Sequence, residues 1–299
     1  MPNQSAARRR GALFVLGATF LWSLAGLFAR LIPHLDFGTV LFGRAAFGGG
    51  FGLLMAFIDW RRGRLNARLL WSPFAPLVIF LSSTAISTYV AALMTTTVAD
   101  VLVIYATLPF FAAGMAFVIT RERASRRTLI AAGVAMVGIV VMVAGELGQG
   151  RFLGQALSLF MTATFAMLVV LQRRDPNLPV APINALAALV AAGFGYAVSK
   201  HVAVSAFDVG VLFLFGVTTI TIAFAMFMEG AKHVPPAEAA LIAMLDVVVG
   251  PLLVLLAFGE MPARTTLIGG AFVLVAALWR LAPELRRQSG TVTPPGAPL

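Results

Sequence analysis

Ten apolar stretches, each about as long as a membrane-spanning helix, follow one another along this chain of 299 residues. We predict spans one to ten at 11–32, 39–58, 72–94, 98–119, 127–145, 153–171, 180–200, 209–230, 236–257 and 265–283. With 60% hydrophobic and only 11% charged residues, the chain has too little polar surface for a soluble globule. We therefore predict an all-α integral membrane protein with ten transmembrane helices.

The positive charges predict the orientation of these helices. Seventeen of the 22 Lys and Arg residues fall in loops and tails on one side of the predicted membrane, the side of the amino terminus. The other five, three in opposite loops and two within spans, are Arg151, Lys200, Arg264, Arg30 and Arg44. Because cytoplasmic loops are enriched in Lys and Arg, we expect both termini in the cytoplasm. They comprise residues 1–10 and a disordered tail at 284–299 that is rich in Pro and Gly.

The same distribution limits the classes of partner. It accounts for the net charge of +10 without nucleic acid, since no aromatic-interleaved basic loop accompanies the arginines. Arg8, Arg9 and Arg10 before an apolar run imitate a secretory signal, but the run at 11–32 is longer than a signal core and has no small-residue cleavage pattern. The chain contains no cysteine, which excludes thiolate metal sites, and we predict neither a cofactor nor a metal.

An internal repeat predicts the topology of the bundle. Residues 122–130 after span four and residues 260–268 after span nine begin with Glu and share Thr-Leu-Ile at a constant spacing of 138 residues. The same spacing pairs Asp100 with Glu238, each in the first turn of a span, where a carboxylate is expected to cap the helix. A repeat of five spans, an odd number, must enter the membrane from opposite sides in its two copies. We therefore predict two inverted five-helix repeats around a central cavity.

Several short motifs resemble those of a known transporter superfamily. They are Leu21-Trp22-Ser23 in span one, Arg44 in span two and the stretches 109–122 and 247–260. The chain resembles the drug/metabolite transporter superfamily, and in particular the ten-helix exporters made of two EamA domains. The resemblance implies EamA-like repeats at 11–145 and 153–283, in a multi-pass protein of the bacterial inner (cytoplasmic) membrane.

Among the members of that superfamily, the exporters of aromatic and neutral amino acids are the most similar, partly because Asp100 lies nine residues before Pro109. Two positions depart from the expected pattern. Val247 stands where a proline is expected after Asp246, and span seven has Asn184 near the position that corresponds to Arg44.

Prolines within spans indicate where the transport path lies. Pro109 in span four and Gly250-Pro251 in span nine occupy corresponding helices of the two repeats. Proline removes a backbone hydrogen bond and clashes with the preceding turn, so these residues are expected to kink their helices. Because interrupted segments at matching positions mark transporter sites, we predict the substrate cavity beside spans four and nine. A packing kink without a gating role is the alternative.

Three charged residues within spans are candidates for ion pairing or for coupling to protons. Asp246 is near the centre of span nine, where it could exchange a proton, bind an amine or only hydrogen-bond a neighbouring helix. Glu229 is close to the cytoplasmic end of span eight and could pair with Lys232 instead. Arg44 could bind a carboxylate or pair with Asp36.

Hydroxyl and aromatic side chains complete the predicted cavity. Residues four apart on a helix share a face, and such spacing aligns several Ser and Thr residues that could also bond to their own helix. Aromatic side chains could stack on a substrate or anchor a helix at the membrane surface, the latter being favoured for Tyr89. With Asp246, the predicted lining residues are Trp22, Ser23, Ser83, Ser87, Tyr105, Thr162 and Thr219.

These features predict a secondary transporter rather than an enzyme. The spans contain no visible nucleophile with a base, no carboxylate pair and no metal cluster, which disfavours an intramembrane enzyme. A channel is disfavoured by the repeat. We expect an exporter of aromatic or neutral amino acids, or of related small metabolites, with the lipid bilayer, a small-molecule substrate and protons as candidate partners, in a monomer or homodimer. A drug transporter of the same fold is the alternative.

Overall fold

The computed structural model describes residues 2–63, 72–121, 125–145, 151–174, 179–200 and 203–290. All regular secondary structure in these ranges is helical. The helices are α1 (Pro2–Leu31), α2 (Phe37–Arg61), α3 (Ala75–Thr95), α4 (Val98–Tyr105), α5 (Leu108–Thr120), α6 (Arg126–Gly145), α7 (Phe152–Arg174), α8 (Val180–Val198), α9 (Ala206–Gly216), α10 (Ala223–Ala231), α11 (Pro236–Ala243), α12 (Asp246–Phe258) and α13 (Arg264–Gly290).

The predicted all-α membrane fold is confirmed. Among the described residues, nine helices are long and apolar enough to cross a membrane, and the bent pair α4–α5 makes a tenth candidate. Helices satisfy every backbone polar group internally, which a segment in hydrocarbon requires. The last helix differs from the prediction, since α13 reaches Gly290 and so enters the predicted tail. Residues 291–299 and Glu122, the first residue of the earlier repeated loop, lie outside the described residues.

Spans four and nine are both interrupted by a two-residue turn, at corresponding positions. Span four bends by 42° between α4 and α5, at Ala106 and Thr107. Span nine is interrupted between α11 and α12 at Met244 and Leu245, which are the residues 138 positions further along the sequence. An interruption in one half of the chain is therefore matched in the other half.

The two predicted kink sites lie at different positions relative to these interruptions. Pro109 lies in the first turn of α5, just after the break, where its missing N–H costs no intrahelical hydrogen bond. Pro251 lies inside α12, so the break of span nine precedes Gly250-Pro251 by several residues. The prediction of a kink at Gly250-Pro251 therefore needs correction, since the interruption of the helix comes earlier.

Helix contacts relate the two halves in pairs. α2 packs on α8 and α6 packs on α13, which joins spans two and five to their counterparts seven and ten. α3 packs on α7, and α1 packs on α10, so the contact between spans three and six corresponds to that between spans eight and one. These contacts are those that an inverted repeat with a two-fold axis would produce.

The bundle is closed at one end. We call the end predicted to face outside the outer end and the other the inner end. The outer halves of the broken spans, α4 and α12, contact each other. The inner halves pack on different neighbours, α5 on α6 and α7, and α11 on α1, α10 and α13.

Candidate functional site

The polar centre of the bundle lies where span one meets the break of span nine. Ser23 in α1 donates a hydrogen bond of 2.7 Å to Oδ1 of Asp246, the first residue of α12. The Ser23 side chain is buried, and Asp246 is half-buried. A Cβ added to Gly250 would come within 2.5 Å of the Leu102 side chain and 3.5 Å of the Asp246 carboxylate. Glycine at position 250 therefore lets α12 approach α4 closely beside this carboxylate.

The neighbouring residue on α1 contacts span eight. Nε1 of Trp22 donates a hydrogen bond of 3.0 Å to the carbonyl of Thr219. Thr219 belongs to a π-helical segment, Val217–Ile222, between α9 and α10, and such wide turns are frequent at functional sites. Consecutive residues of α1 thus join the π-helical segment to Asp246.

Arg44 lies on the other side of the π-helical segment. Its side chain is 5% exposed, and Nη2 donates a hydrogen bond of 3.3 Å to the Thr219 hydroxyl. The guanidinium carbon lies 4.6 Å from the ring centroid of Phe215 and 5.4 Å from that of Tyr89. Among the described residues, Nε and Nη1 have no hydrogen-bond partner.

Two glycines hold Arg44 in this position. A Cβ added to Gly48 of α2 would lie 2.7 Å from the carbonyl of Gly216, the last residue of α9. A Cβ added to Gly216 would in turn collide with the backbone carbonyl of Arg44. The close crossing of α2 and α9 that only glycines permit therefore sets Arg44 against span eight.

Two tyrosines complete this set of side chains. Tyr89 in α3 places its ring against the Arg44 guanidinium, and Tyr105 is the last residue of α4, directly before the interruption of span four. The ring of Tyr105 packs edge-on against Phe165 at 5.8 Å between centroids. We call Trp22, Ser23, Arg44, Tyr89, Tyr105, Thr219 and Asp246 the central site.

The other predicted residues lie elsewhere or bond to their own helices. The hydroxyls of Ser83, Ser87 and Thr162 donate to carbonyls three or four residues earlier in the same helix. Glu229 pairs with Lys232 at 2.6 Å near the end of α10, and its side chain is 47% exposed. The alternative prediction for Glu229, a pair with Lys232, is therefore the one observed.

Of the two alternatives for Arg44, the pair with Asp36 is not the one observed, because each residue has other partners. Asp36 is the N-cap of α2 and accepts hydrogen bonds from the backbone N–H groups of Gly38 and Thr39 and from the Thr39 hydroxyl. Burial raises the pKa of Asp36, but these hydrogen bonds and one from the Lys200 backbone outweigh it, so that the pKa lies below its usual value. Asp36 therefore stabilises the start of α2 as an anion.

Asp100 has a different role from the predicted helix cap. Thr97 caps α4 through its side chain, with Asp100 three residues later. The fully buried carboxylate of Asp100 accepts hydrogen bonds of 2.7 Å from Thr96 and 2.5 Å from Thr266 of α13. Asp100 thereby joins spans four and ten.

An ion pair near Asp100 ties together four spans, one, three, four and nine, at the outer end. Arg30 of α1 contacts Glu260, after α12, at 2.6 Å. Arg30 also donates to the carbonyls of Leu93 and Thr96 at the end of α3, and Glu260 accepts from the backbone N–H of Val98 in α4. We call the pair of Arg30 and Glu260, with these backbone partners, the outer latch.

Sequence reasoning missed three features of this region. Tyr89 was expected at the membrane surface because it lies near the end of span three, yet it contacts Arg44. The Arg30–Glu260 pair joins residues 230 positions apart, and its only signal was an arginine within span one. The run of threonines in Val217–Ile222 indicated polarity but not a π-helical turn.

Comparisons with known proteins agree with this architecture. A crystal structure of a protein matches with a TM-score of 0.64 and 18% sequence identity, covering 95% of this chain and 99% of the other. At this identity the likeness shows the fold alone. No curated protein matches the sequence. Residues 9–144 match the EamA-like transporter family, a family of membrane transporters of small metabolites. The amino-terminal half of the chain, from α1 to α6, is therefore similar to the EamA-like transporter family, and the described helices are those of a multi-pass membrane protein.

Proposed function

We propose that this protein is a secondary transporter that exports aromatic and neutral amino acids, or closely related metabolites, by alternating access. The observation that carries the proposal is the Asp246 carboxylate, half-buried at the break of span nine and hydrogen-bonded to Ser23. A carboxylate at this depth costs about 2.5–3.5 kcal/mol on membrane-insertion scales. Such a cost is typical of groups that bind substrates or carry protons.

The surroundings of Asp246 favour amphipathic substrates with an apolar or aromatic part. Trp22 contacts Thr219, the ring of Tyr89 lies against Arg44, and Tyr105 lies at the interruption of span four. Aromatic rings stack on apolar and aromatic ligands and bind cations through their faces. Few polar groups accompany them, so selection among apolar side chains is expected to be loose.

The two ends of the bundle support alternating access. The outer latch and the contact of α4 with α12 hold the outer end together, whereas α5 and α11 pack on different neighbours at the inner end. In the predicted orientation, this difference supports a carrier whose outer side is closed. The breaks in spans four and nine provide the positions at which the inner and outer halves can move separately.

Asp246 is also the candidate group for proton coupling. A proton on this carboxylate would compete with an ammonium group of the substrate for the same oxygen atoms. Binding of the substrate and release of the proton would then be linked, so that a pH gradient could drive export. Protons are thus the proposed coupling ion.

Transport into liposomes tests the proposal. The purified protein is reconstituted, and uptake of labelled amino acids is measured with and without a pH gradient, for the native chain, Asp246→Asn and the control Glu229→Gln. We expect saturable uptake that responds to the gradient, is lost in Asp246→Asn and is retained in Glu229→Gln. The control removes a carboxylate that is paired at the surface of α10.

Other outcomes discriminate between the alternatives. Saturable uptake that ignores the gradient would indicate facilitated diffusion and reject the coupling. If no amino acid is taken up, the proposal fails, and drugs or other metabolites become the substrates to test.

A further inference from the structure

Arg44 is an unusual residue for the interior of a membrane bundle. A buried guanidinium is normally paired with a carboxylate, because its desolvation must be offset by charge and hydrogen bonds. Here the described partners of Arg44 are one hydroxyl, that of Thr219, and the faces of two rings, Tyr89 and Phe215. The rings interact with the charge but accept none of the remaining hydrogen bonds in the plane of the group.

The unpartnered donors suit a carboxylate. Nε and Nη1 lack partners among the described residues, and Nη2 carries a second N–H besides the one directed at Thr219. Two parallel N–H groups on an edge of the guanidinium match the two oxygens of a carboxylate. The ring faces of Phe215 and Tyr89 hold the guanidinium plane, so the group is oriented before a ligand binds.

A carboxylate lies in the same part of the bundle. Asp246 and Arg44 are joined through span one, where Trp22 contacts Thr219, the partner of Arg44, and the next residue, Ser23, contacts Asp246. The described hydrogen bond to the Asp246 side chain is the one to Oδ1, so the carboxylate keeps acceptor capacity.

From this arrangement we infer that Arg44 binds the carboxylate of the transported molecule while Asp246 binds its ammonium group. The central site is then specific for zwitterionic amino acids over amines and carboxylic acids of the same side chain. The inference rests on the proposed function and defines its substrate class. It also makes Arg44, rather than the aromatic side chains, the residue that distinguishes an amino acid from its amine.

Competition between three related compounds tests the inference. Uptake of labelled phenylalanine into liposomes is measured against unlabelled phenylalanine, phenethylamine, which lacks the carboxylate, and 3-phenylpropionate, which lacks the ammonium group. For the native chain, we expect both analogues to compete at least about 10-fold more weakly than phenylalanine, because each leaves one charged group of the site unpaired. In Arg44→Met, phenylalanine should lose at least about 10-fold in apparent affinity while phenethylamine is unchanged.

Two further variants keep the test decisive. Arg44→Lys retains the charge without the planar donor set, so if Arg44→Met fails to accumulate, a loss of preference for phenylalanine in Arg44→Lys supports the inference. Arg264→Met, at an exposed position at the start of α13, should leave the preference unchanged.

The results that would overturn the inference are distinct from those that would overturn the proposed function. An equal loss of affinity for phenylalanine and phenethylamine in the Arg44 variants would mean that Arg44 only supports the packing of the site. Equal competition by all three compounds against the native chain would mean that no carboxylate is recognised. Absence of any amino-acid uptake by the native chain would overturn the proposed function, and the inference with it.

Discussion

Spans four and nine are interrupted at corresponding positions but differ in bend and in chemistry. Span four is interrupted at Ala106 and Thr107 and bends there by 42°, whereas span nine is interrupted at Met244 and Leu245, 138 residues further along. The residue after the first interruption is Leu108, whereas the residue after the second is Asp246. The interruption therefore belongs to both halves of the chain, while the carboxylate of the central site belongs to one.

The breaks also differ in how the proline is used. Pro109 begins α5 directly after the break of span four, but its counterpart in span nine is Val247. The N–H of Val247 donates to the carbonyl of Met244 at 3.1 Å. A break at 244–245 without an adjacent proline shows that surrounding contacts, such as the approach of Gly250 to Leu102, hold the interruption in place.

The anchors of the two spans differ as well. The start of α4 is held by buried groups, namely the Thr97 cap, the bridge from Asp100 to Thr266 and the N–H of Val98 on Glu260. Near the start of α11, Glu238 pairs with Arg8, whose side chain is 59% exposed. The outer end is thus fixed by a desolvated network and the inner end by a solvated pair.

Exchanging the residues that follow the two interruptions tests most directly whether the two halves differ in chemistry. The double variant Leu108→Asp with Asp246→Leu moves the carboxylate to the first half. We expect transport to fall by about 10–100-fold relative to the native chain, because Ser23 contacts position 246 of span nine and a charge-assisted bond of about 1.5–3 kcal/mol is lost. Initial uptake rates in liposomes measure the effect. Native rates in the double variant would show that the halves are chemically equivalent.

The single variant Leu108→Asp tests the same difference by measuring the stability of the protein. A carboxylate at this depth without a prepared partner is expected to cost about 2.5–3.5 kcal/mol. Thermal unfolding in detergent, with Leu108→Asn as the control for polarity alone, measures the loss. An unchanged unfolding temperature in both variants would mean that the break of span four is already polar and hydrated.

Loss of the outer latch should change which end of the bundle opens. In Glu260→Gln the ion pair with Arg30 is removed, and a partly buried charge-assisted bond of about 1.5–3 kcal/mol is weakened. The chain contains no cysteine, so a single Cys placed at Leu102 reports access from the outer side to a membrane-impermeant thiol reagent. We expect labelling to rise by about 10-fold. Labelling that stays low in Glu260→Gln would show that packing alone closes the outer end.

A proline placed just after the interruption of span nine is expected to change the free energy of unfolding only slightly. Val247→Pro restores the proline of the first half and removes only the bond to Met244, so we expect a loss of about 0.5–1.5 kcal/mol. Val254→Pro, in the interior of the same helix, should cost about 3 kcal/mol or more. Unfolding of the two variants by denaturant gives the difference. Equal losses would contradict the assignment of a true break at 244–245.

The smallest effect is expected at the inner pair. Glu238→Gln removes the partner of Arg8, and exposed ion pairs contribute about 0–1 kcal/mol. Unfolding measured at low and high salt checks this estimate, because a solvated pair weakens as salt is added. A loss as large as that of Glu260→Gln would remove the distinction between the two ends.

The span pattern of this fold was predictable because the bilayer forces long apolar helices that hydropathy detects. Ser23, Trp22 and Asp246 were predictable for a related reason, since polar or amphipathic residues are rare within such segments. The partners of Arg44 were not predictable, because Thr219 is 175 residues away and depends on the glycine crossing of α2 and α9. The break of span nine was misplaced because Pro251, the visible signal, lies inside a helix that tolerates it.

The π-helical segment at Val217–Ile222 has a consequence for how this sequence should be compared with others. A wide turn accommodates one residue more than an α-helical turn. The residues after the π-helical segment are therefore shifted by one position relative to those of a regular α-helix. When related transporters are aligned, those with a regular span eight should need a one-residue gap near Thr219. Where that gap is missing, the residues that follow would rotate by roughly 100° around the helix axis, and the alignment would match surface positions to interior ones.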